Sequence, residues 1–287
     1  MPSLAIATAS NALWKPAYIP VCVFVGGTSG IGEGIVRAVA RHTAGKAHIF
    51  LVGRNAAAAQ RILDALPSSE GAIREFVECH LSLVANAKKV ATDVLARQGR
   101  VNLLVLTAGA ISLESTITSE GLERTIAACG EDARVLSMLN AGKGKAFDAS
   151  DLGLKNSFAA VKGVKDLHET GAAAATYQDL LVQGYAARHP TLTFIHSGPG
   201  LVNTPLFSVS PSAEIRALGD AVLQAAGSGA KSIEDCGEHE LYAILHSPPG
   251  ASRTGPDGDD IGLESIEAKE GDVETLWVHT GDTIRAI

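Results

Sequence analysis

The chain has 287 residues, 46% of them hydrophobic and 19% charged, with 24 Lys+Arg against 31 Asp+Glu for a net charge of −7. That is too apolar for a disordered chain, and 30 Gly with 11 Pro are too few for a low-complexity one. A mildly acidic chain without a basic patch does not suit a nucleic-acid backbone, and no apolar run reaches the ~18 residues of a membrane span, so neither partner is expected. The four cysteines (Cys22, Cys79, Cys129, Cys236) show neither metal-ligand spacing nor a disulfide framework. Cys236 and His239 form a lone C-x-x-H, which reads as a surface pair, and no metal is expected. Residues 1–20 are rich in Ala and Ser but lack the basic start of a signal peptide. The expectation is a soluble, reduced, cytoplasmic protein.

In chain order, residues 21–25 form a short apolar strand pattern, followed at once by a glycine-rich turn and an amphipathic helix over 31–42. A strand at 47–52 and a helix at 56–66 follow, and the pattern repeats at 73–81 and 84–98. Residues 101–107 are almost continuously apolar, as a strand buried on both faces should be. Further strands are expected at 134–139 and 192–196, with helical material between 158 and 188. Such alternation specifies an α/β fold: a doubly wound, mostly parallel sheet with helices on both faces, of Rossmann type. After Pro199 the pattern loosens into helices at 211–226 and 238–245, a turn-rich stretch at 247–260 and a short closing helix at 270–280. No linker divides the chain, so residues 1–287 read as one dinucleotide-binding domain with an elaborated C-terminal part from 208 onward.

The informative segment is Val25-Gly26-Gly27-Thr28-Ser29-Gly30-Ile31-Gly32, between the first strand and the first helix. There a dinucleotide pyrophosphate meets the amides of a helix N-terminus, and glycine lets the backbone approach. The G-x-x-x-G-x-G spacing resembles the short-chain dehydrogenase/reductase family, with Val25 in place of the usual Thr. Pro199-Gly200-Leu201-Val202-Asn203-Thr204 is similar to the family's P-G-x-V-x-T stretch after the sixth strand, which cradles nicotinamide. The resemblance covers about residues 20–207. The phrases SNALWKPAYIPV, LGLKNSF and SPPGASRTG resemble a fungal branch of that family.

This resemblance implies cofactor contacts from Gly26, Thr28, Ser29, Gly30, Ile31, Gly32, Ala108, Gly109, Pro199, Gly200, Val202 and Thr204. Ala108-Gly109 is what remains of the family's N-N-A-G signature. Where the second strand ends, Gly53 stands at the usual place of a ribose-binding acid and Arg54 follows it. A guanidinium there suits a 2′-phosphate, so NADP is the expected cofactor. His80 sits where the family often places a carboxylate against adenine, and a structural histidine is an equal reading.

The family's catalytic pattern breaks at each point. The Y-x-x-x-K pattern becomes Phe158-Ala-Ala-Val-Lys162, keeping the Lys, expected to hold the cofactor and assist catalysis, but not the hydroxyl. Pro199 lies 41 residues after Phe158, longer than usual, so Tyr177 is the other candidate, beside its reading as a core tyrosine. Asn140 aligns with the catalytic Ser, and its amide can still donate to a carbonyl oxygen. Between Gly109 and Arg134 the family's long dimer helix is shortened to one pattern at 119–129, which leaves a homo-oligomer open. Three functions stand: an NADP-dependent oxidoreductase acting on a carbonyl or alcohol of a small molecule, an NADP-binding protein without redox turnover, and a non-redox enzyme using the same pocket.

Overall fold

The computed structural model describes residues 1–109, 111, 113, 134–263 and 268–287. Seven parallel strands form one sheet in the order β3-β2-β1-β4-β5-β6-β7. They are β1 (Val21–Val25), β2 (His48–Gly53), β3 (Arg74–Glu78), β4 (Leu103–Leu106), β5 (Arg134–Met138), β6 (Thr193–Ser197) and β7 (Gly250–Thr254). The helices are α1 (Leu4–Asn11), α2 (Gly30–His42), α3 (Ala56–Ala65), α4 (Val84–Gln98), α5 (Lys155–Ala159), α6 (Val164–Arg188), α7 (Ala213–Ala226), α8 (Ile233–His246) and α9 (Asp272–Arg285).

The two-residue period of the strands divides the core. Cys22 and Phe24 of β1 pack with Ile35, Val36 and Val39 of α2, Ile62 of α3 and Leu241 and Ile244 of α8. Val21, Val23 and Val25 point the other way, toward Val94 of α4 and Val182 and Ala186 of α6. Both faces of β1 are therefore covered, which explains its unbroken apolar run. A third cluster joins Leu154, Tyr177, Leu180 and Leu276, where α9 lies along α6. There Trp277 meets Tyr185 edge-on at 4.8 Å, and the Arg188 guanidinium sits 4.0 Å from the Trp277 ring centroid.

On the first face α2 and α8 approach unusually closely, because Gly34 of one meets Gly237 of the other. Buried Glu238 ties three helices beside that contact. It accepts from Asn11 Nδ2 at 2.8 Å, from Arg41 Nη1 at 2.5 Å and meets His42 Nε2 at 2.9 Å.

The doubly wound parallel sheet is as the alternation implied, while several boundaries differ. The turn-rich stretch at 247–260 contains β7, whose Gly-Ala-Ser-Arg-Thr sequence carries no β-branched run and which is a strand because it pairs with β6. The N-terminal Ala/Ser-rich segment forms α1, capped by the Ser3 hydroxyl and packed on α8. The helix expected at 238–245 begins at Ile233, where Ser232 caps it, and α9 runs to Arg285. The pattern at 119–129 and Cys129 lie outside the described residues. Among those residues no helix is long and apolar enough to cross a membrane, and no group of His, Cys, Asp and Glu is arranged to hold a metal; Cys236 and His239, expected as a surface pair, are both buried in α8.

Candidate active site

The strand order reverses between β1 and β4, and in sheets of this kind ligands bind in the crevice beyond the strand ends at that point. Gly26 opens the crevice. It holds φ +95°, and a Cβ there would lie 2.5 Å from Ala108 N. A Cβ on Gly32 would lie 2.5 Å from Thr107 Oγ1 and 2.6 Å from Gly26 O, so the first turn of α2 is packed directly onto the loop ends. Ser29, the N-cap, makes no side-chain bond to the helix, so its first-turn amides have no cap to satisfy them. Glu33 follows them, buried. Burial pushes its carboxyl up, but hydrogen bonds from Arg61 and Arg37 outweigh that and hold it below the usual range.

Residues far apart in sequence converge on this turn. The methyl and Cβ of Thr204 stand 3.4 Å from where a Gly30 Cβ would be. The stretch leading to Thr204 is held by Lys231, whose backbone N–H donates to Leu201 O while its carbonyl accepts from Asn203 N–H, both at 2.9 Å. Val202 bridges to Lys231 in the same ladder. Pro199 and Gly200 follow β6 directly, and Gly200 holds φ +72°. Ala108 and Gly109 are exposed at the mouth, Thr28 lies against Gly53, and Ile31 is half-buried. Arg54 is exposed just past β2. The His80 carbonyl accepts from Asn86 Nδ2 and Leu83 N–H where the chain enters α4.

On the far side of β4, Asn140 is exposed just past the end of β5. Its carbonyl accepts from Lys143 N–H at 3.0 Å, forming a turn with Gly142 at φ +74°. Lys145 is held by Thr176, whose Oγ1 accepts from Lys145 N–H at 2.8 Å and donates to Lys145 O at 2.6 Å.

The expected proton-donor role of Tyr177 and the expected pairing of Phe158 with Lys162 on one helix do not fit this geometry. Tyr177 is 5% exposed, and its hydroxyl is engaged with Asp148 O at 3.0 Å and Asp151 O at 2.9 Å. Burial first, then the charges of Asp151 and Asp148, push that phenol well above its ordinary value. It is a core residue. Phe158 and Lys162 do not share a helix face either. α5 ends at Ala159 and α6 begins at Val164, and exposed Lys162 lies in the break with its N–H on Asp166 Oδ2 at 3.0 Å. The Asp166 carboxylate restarts the helix there, so Lys162 lies outside both helices. The other tyrosines are placed elsewhere: Tyr18 bonds Asn102, Tyr185 stacks with Phe194, and Tyr242 stacks on His246.

Two buried polar groups beneath this edge were not anticipated. Asp179 of α6, His196 of β6 and Arg253 of β7 form one network, with His196 Nδ1 2.6 Å and Arg253 Nε 3.1 Å from Asp179 Oδ1. On the opposite face Ser197 Oγ donates to Glu240 Oε1 at 2.9 Å. The available signal was a charged residue inside an apolar pattern, as in Thr-Phe-Ile-His-Ser, but nothing local names its partner.

Glu240 is fully buried, and this burial pushes its carboxyl up to about 7, against the Ser197 hydrogen bond and the charge of Lys231. A carboxyl raised on folding contributes stability that is complete below its unfolded pKa and is lost as pH rises through about 7. Glu240→Gln should therefore match wild type near pH 4, below the ordinary carboxyl value, and exceed it at pH 8, by on the order of 3 kcal/mol. Urea unfolding at both pH values checks this, and equal stabilities of the two proteins at pH 8 would refute it.

The sheet order, the crevice at its reversal and the glycine turn define a Rossmann-type dinucleotide-binding fold. The family model for short chain dehydrogenases matches residues 20–129. Oxidoreductase AN1596 of Emericella nidulans is 31% identical over 229 residues, 73% of this chain and 66% of its own length. Oxidoreductase andH of Emericella variicolor is 29% identical over 72% of this chain and 65% of its own. The chain thus spans just under two thirds of the length of these curated relatives. A short chain dehydrogenase/reductase from Burkholderia phymatum in complex with NAD superposes with a TM-score of 0.59 at 16% identity, covering 80% of this chain and 87% of that one. The MalC reductase/Diels-Alderase from Malbranchea aurantiaca does so with a TM-score of 0.57 at 19% identity, covering 87% and 98%. These two share the fold. The chain belongs to the short-chain dehydrogenase/reductase family, whose members bind a nicotinamide cofactor, and it has fungal relatives.

Proposed function

We propose that the protein is an NADP(H)-dependent oxidoreductase that interconverts a carbonyl and an alcohol on a small molecule, with altered proton-transfer groups. The observation that carries this reading is the meeting of Gly26, Gly30 and Gly32 with Ala108 and Thr204 at the strand-order reversal. At Gly26 and Gly32 a side chain would collide with the loop ends, at Gly30 it would enter the space a pyrophosphate needs, and the uncapped start of α2 presents amides to it. Ser29, Thr28 and Ile31 line that turn, while Pro199, Gly200 and Val202 flank the nicotinamide end beside Ala108 and Gly109. When bound, the cofactor supplies or accepts hydride. Asn140, exposed past β5, orients the substrate carbonyl by donating from its side-chain amide. The engagement of the Tyr177 hydroxyl by the Asp148 and Asp151 carbonyls, with the other three tyrosines bonded or stacked elsewhere, favours a second reading, in which the pocket binds NADP without redox turnover or serves non-redox chemistry.

Arg54 favours NADP(H) because it offers a guanidinium to the 2′-phosphate while Gly53 offers no carboxylate to a ribose hydroxyl. Wild type should bind NADPH more tightly than NADH, and Arg54→Ala should weaken NADPH roughly tenfold to hundredfold while sparing NADH. Calorimetric titration of both proteins with both cofactors tests this, and equal wild-type affinities would overturn the NADP assignment. Loss of NADPH absorbance with a panel of ketones, aldehydes and quinones separates the redox reading from the second one.

A further inference from the structure

Beyond β7 the chain doubles back. Gly255 N–H donates to Asp259 O at 2.9 Å, Gly258 N–H to Gly255 O at 3.0 Å and Ile261 N–H to Arg253 O at 2.9 Å, and Thr254 bridges Asp260 antiparallel. This return segment, residues 255–263, sits at the C-terminal edge of the sheet, and its contacts say where. A Cβ on Gly142 would lie 2.9 Å from Ile261 Cδ1, and one on Gly200 would lie 3.1 Å from Pro256 Cβ. Gly142 is two residues past Asn140, and Gly200 belongs to the stretch after β6 that ends at Thr204. The segment therefore walls the β5–β7 side of the crevice.

Arg253 holds it there. Its side chain is wholly buried, with Nε on Asp179 Oδ1, Nη1 on Gly262 O at 2.9 Å and Nη2 on Leu263 O at 3.3 Å. Burying a guanidinium costs several kcal/mol unless it is paired and its donors are satisfied. The carbonyls of Gly262 and Leu263 thus help to satisfy the buried guanidinium, and moving them away costs it those bonds. Two of the segment's three acidic groups are engaged by the protein: Asp257 meets Lys231 Nζ at 3.2 Å, and Asp260 Oδ1 accepts from Gly262 N–H at 2.8 Å, while Asp259 Oδ1 is buried without a hydrogen-bond partner among the described residues. Beside exposed Asp260 it leaves two large apolar side chains exposed, Ile261 at 40% and Leu263 at 37%.

We propose that this return segment, pinned by Arg253 and Asp179, is the substrate-side wall of the site, and that Ile261 selects an apolar, uncharged group on the carbonyl compound beside Asn140. This rests on the carbonyl chemistry proposed above for that edge. Arg253 and Asp179 are positioning residues, and Ile261 determines specificity by contact.

Two measurements test the proposal. Arg253→Met alone leaves Asp179 buried beside an uncharged neighbour and can fail to fold, so it is paired with Asp179→Asn, which keeps an acceptor for His196. In the double variant, amide exchange over 255–263 should accelerate at least ~tenfold while β1 and β2 stay protected. Unchanged exchange in the segment, or equal acceleration throughout the chain, would overturn the pin. The second measurement is calorimetric titration of 2-decanone, with levulinate as a short charged comparison, with and without NADPH. Wild type should bind 2-decanone in preference to levulinate, and Ile261→Asp should weaken 2-decanone at least ~tenfold with its NADPH-dependent melting shift intact. No binding of 2-decanone to wild type, no preference over levulinate, or equal binding to both proteins would overturn the apolar wall. A wild type without any NADPH-dependent melting shift would instead count against the cofactor reading, and the exchange result would still decide the pin.

Discussion

Gly34→Ala is expected to lower the melting temperature by about 6–12 °C, from an overpacking cost of ~3 kcal/mol. A Cβ at this position would lie 1.9 Å from Ile233 O, the tightest such contact among the described glycines, and the obstacle is backbone rather than a side chain that can turn aside. Gly237 faces it from α8, where a Cβ would lie 2.3 Å from Gly34 C and O. The two helices must separate to accept either methyl, and separation loosens Leu241 and Ile244 from Ile35 and the sheet. Gly237→Ala should behave alike. Gly229→Ala is the control, because nothing lies within 4 Å of its Cβ position and its φ is not positive. Thermal melts of the three variants decide the matter, and a Gly34→Ala protein melting with wild type would show that the helices part without cost.

The second large effect concerns the cofactor. Gly30→Val should abolish measurable NADPH binding while leaving most of the fold's stability in place. Gly30 holds φ +57°, where a β-branched side chain is strained by ~1–2 kcal/mol. The protein itself leaves room, since the nearest atoms to a Cβ there are those of Thr204 at 3.4 Å. The added methyls would instead occupy the space between Thr204 and the helix amides, where the pyrophosphate is proposed to lie. Wild type at NADPH a hundred times its dissociation constant should gain ~2.7 kcal/mol of stability. The variant should gain none, with its cofactor-free melting temperature only a few degrees lower. A variant whose melting temperature still rises with NADPH would place the phosphate elsewhere.

Much of this architecture is legible in local pattern. The unbroken apolar run at β1 reports a strand covered on both faces, and the glycine turn directly after it locates the crevice before any contact is known. The same reasoning reaches Thr204, because the Pro199–Thr204 stretch follows a strand pattern directly. It fails at Tyr177, where a helix residue with a hydroxyl reads equally as a proton donor and as a core tyrosine. Only the carbonyls of Asp148 and Asp151, from a loop some 26–29 residues away, decide between them. It fails again at Lys162, since Phe158 and Lys162 have helical spacing but the chain breaks between them.

The sequence by itself determined the alternation of strands and helices, the parallel sheet that follows from it, and the site of the glycine turn. Each of these is set by burial periodicity or by backbone freedom within a few residues, which the residue types record directly. The tertiary structure alone decided that Gly-Ala-Ser-Arg-Thr is a strand, that Gly34 and Gly237 face each other, and that Arg253 ties Asp179 to the carbonyls of Gly262 and Leu263. These depend on which distant groups satisfy a buried charge, an unpaired strand edge or a gap between helices. No residue type carries the identity of a partner 74 positions away, and packing supplies it.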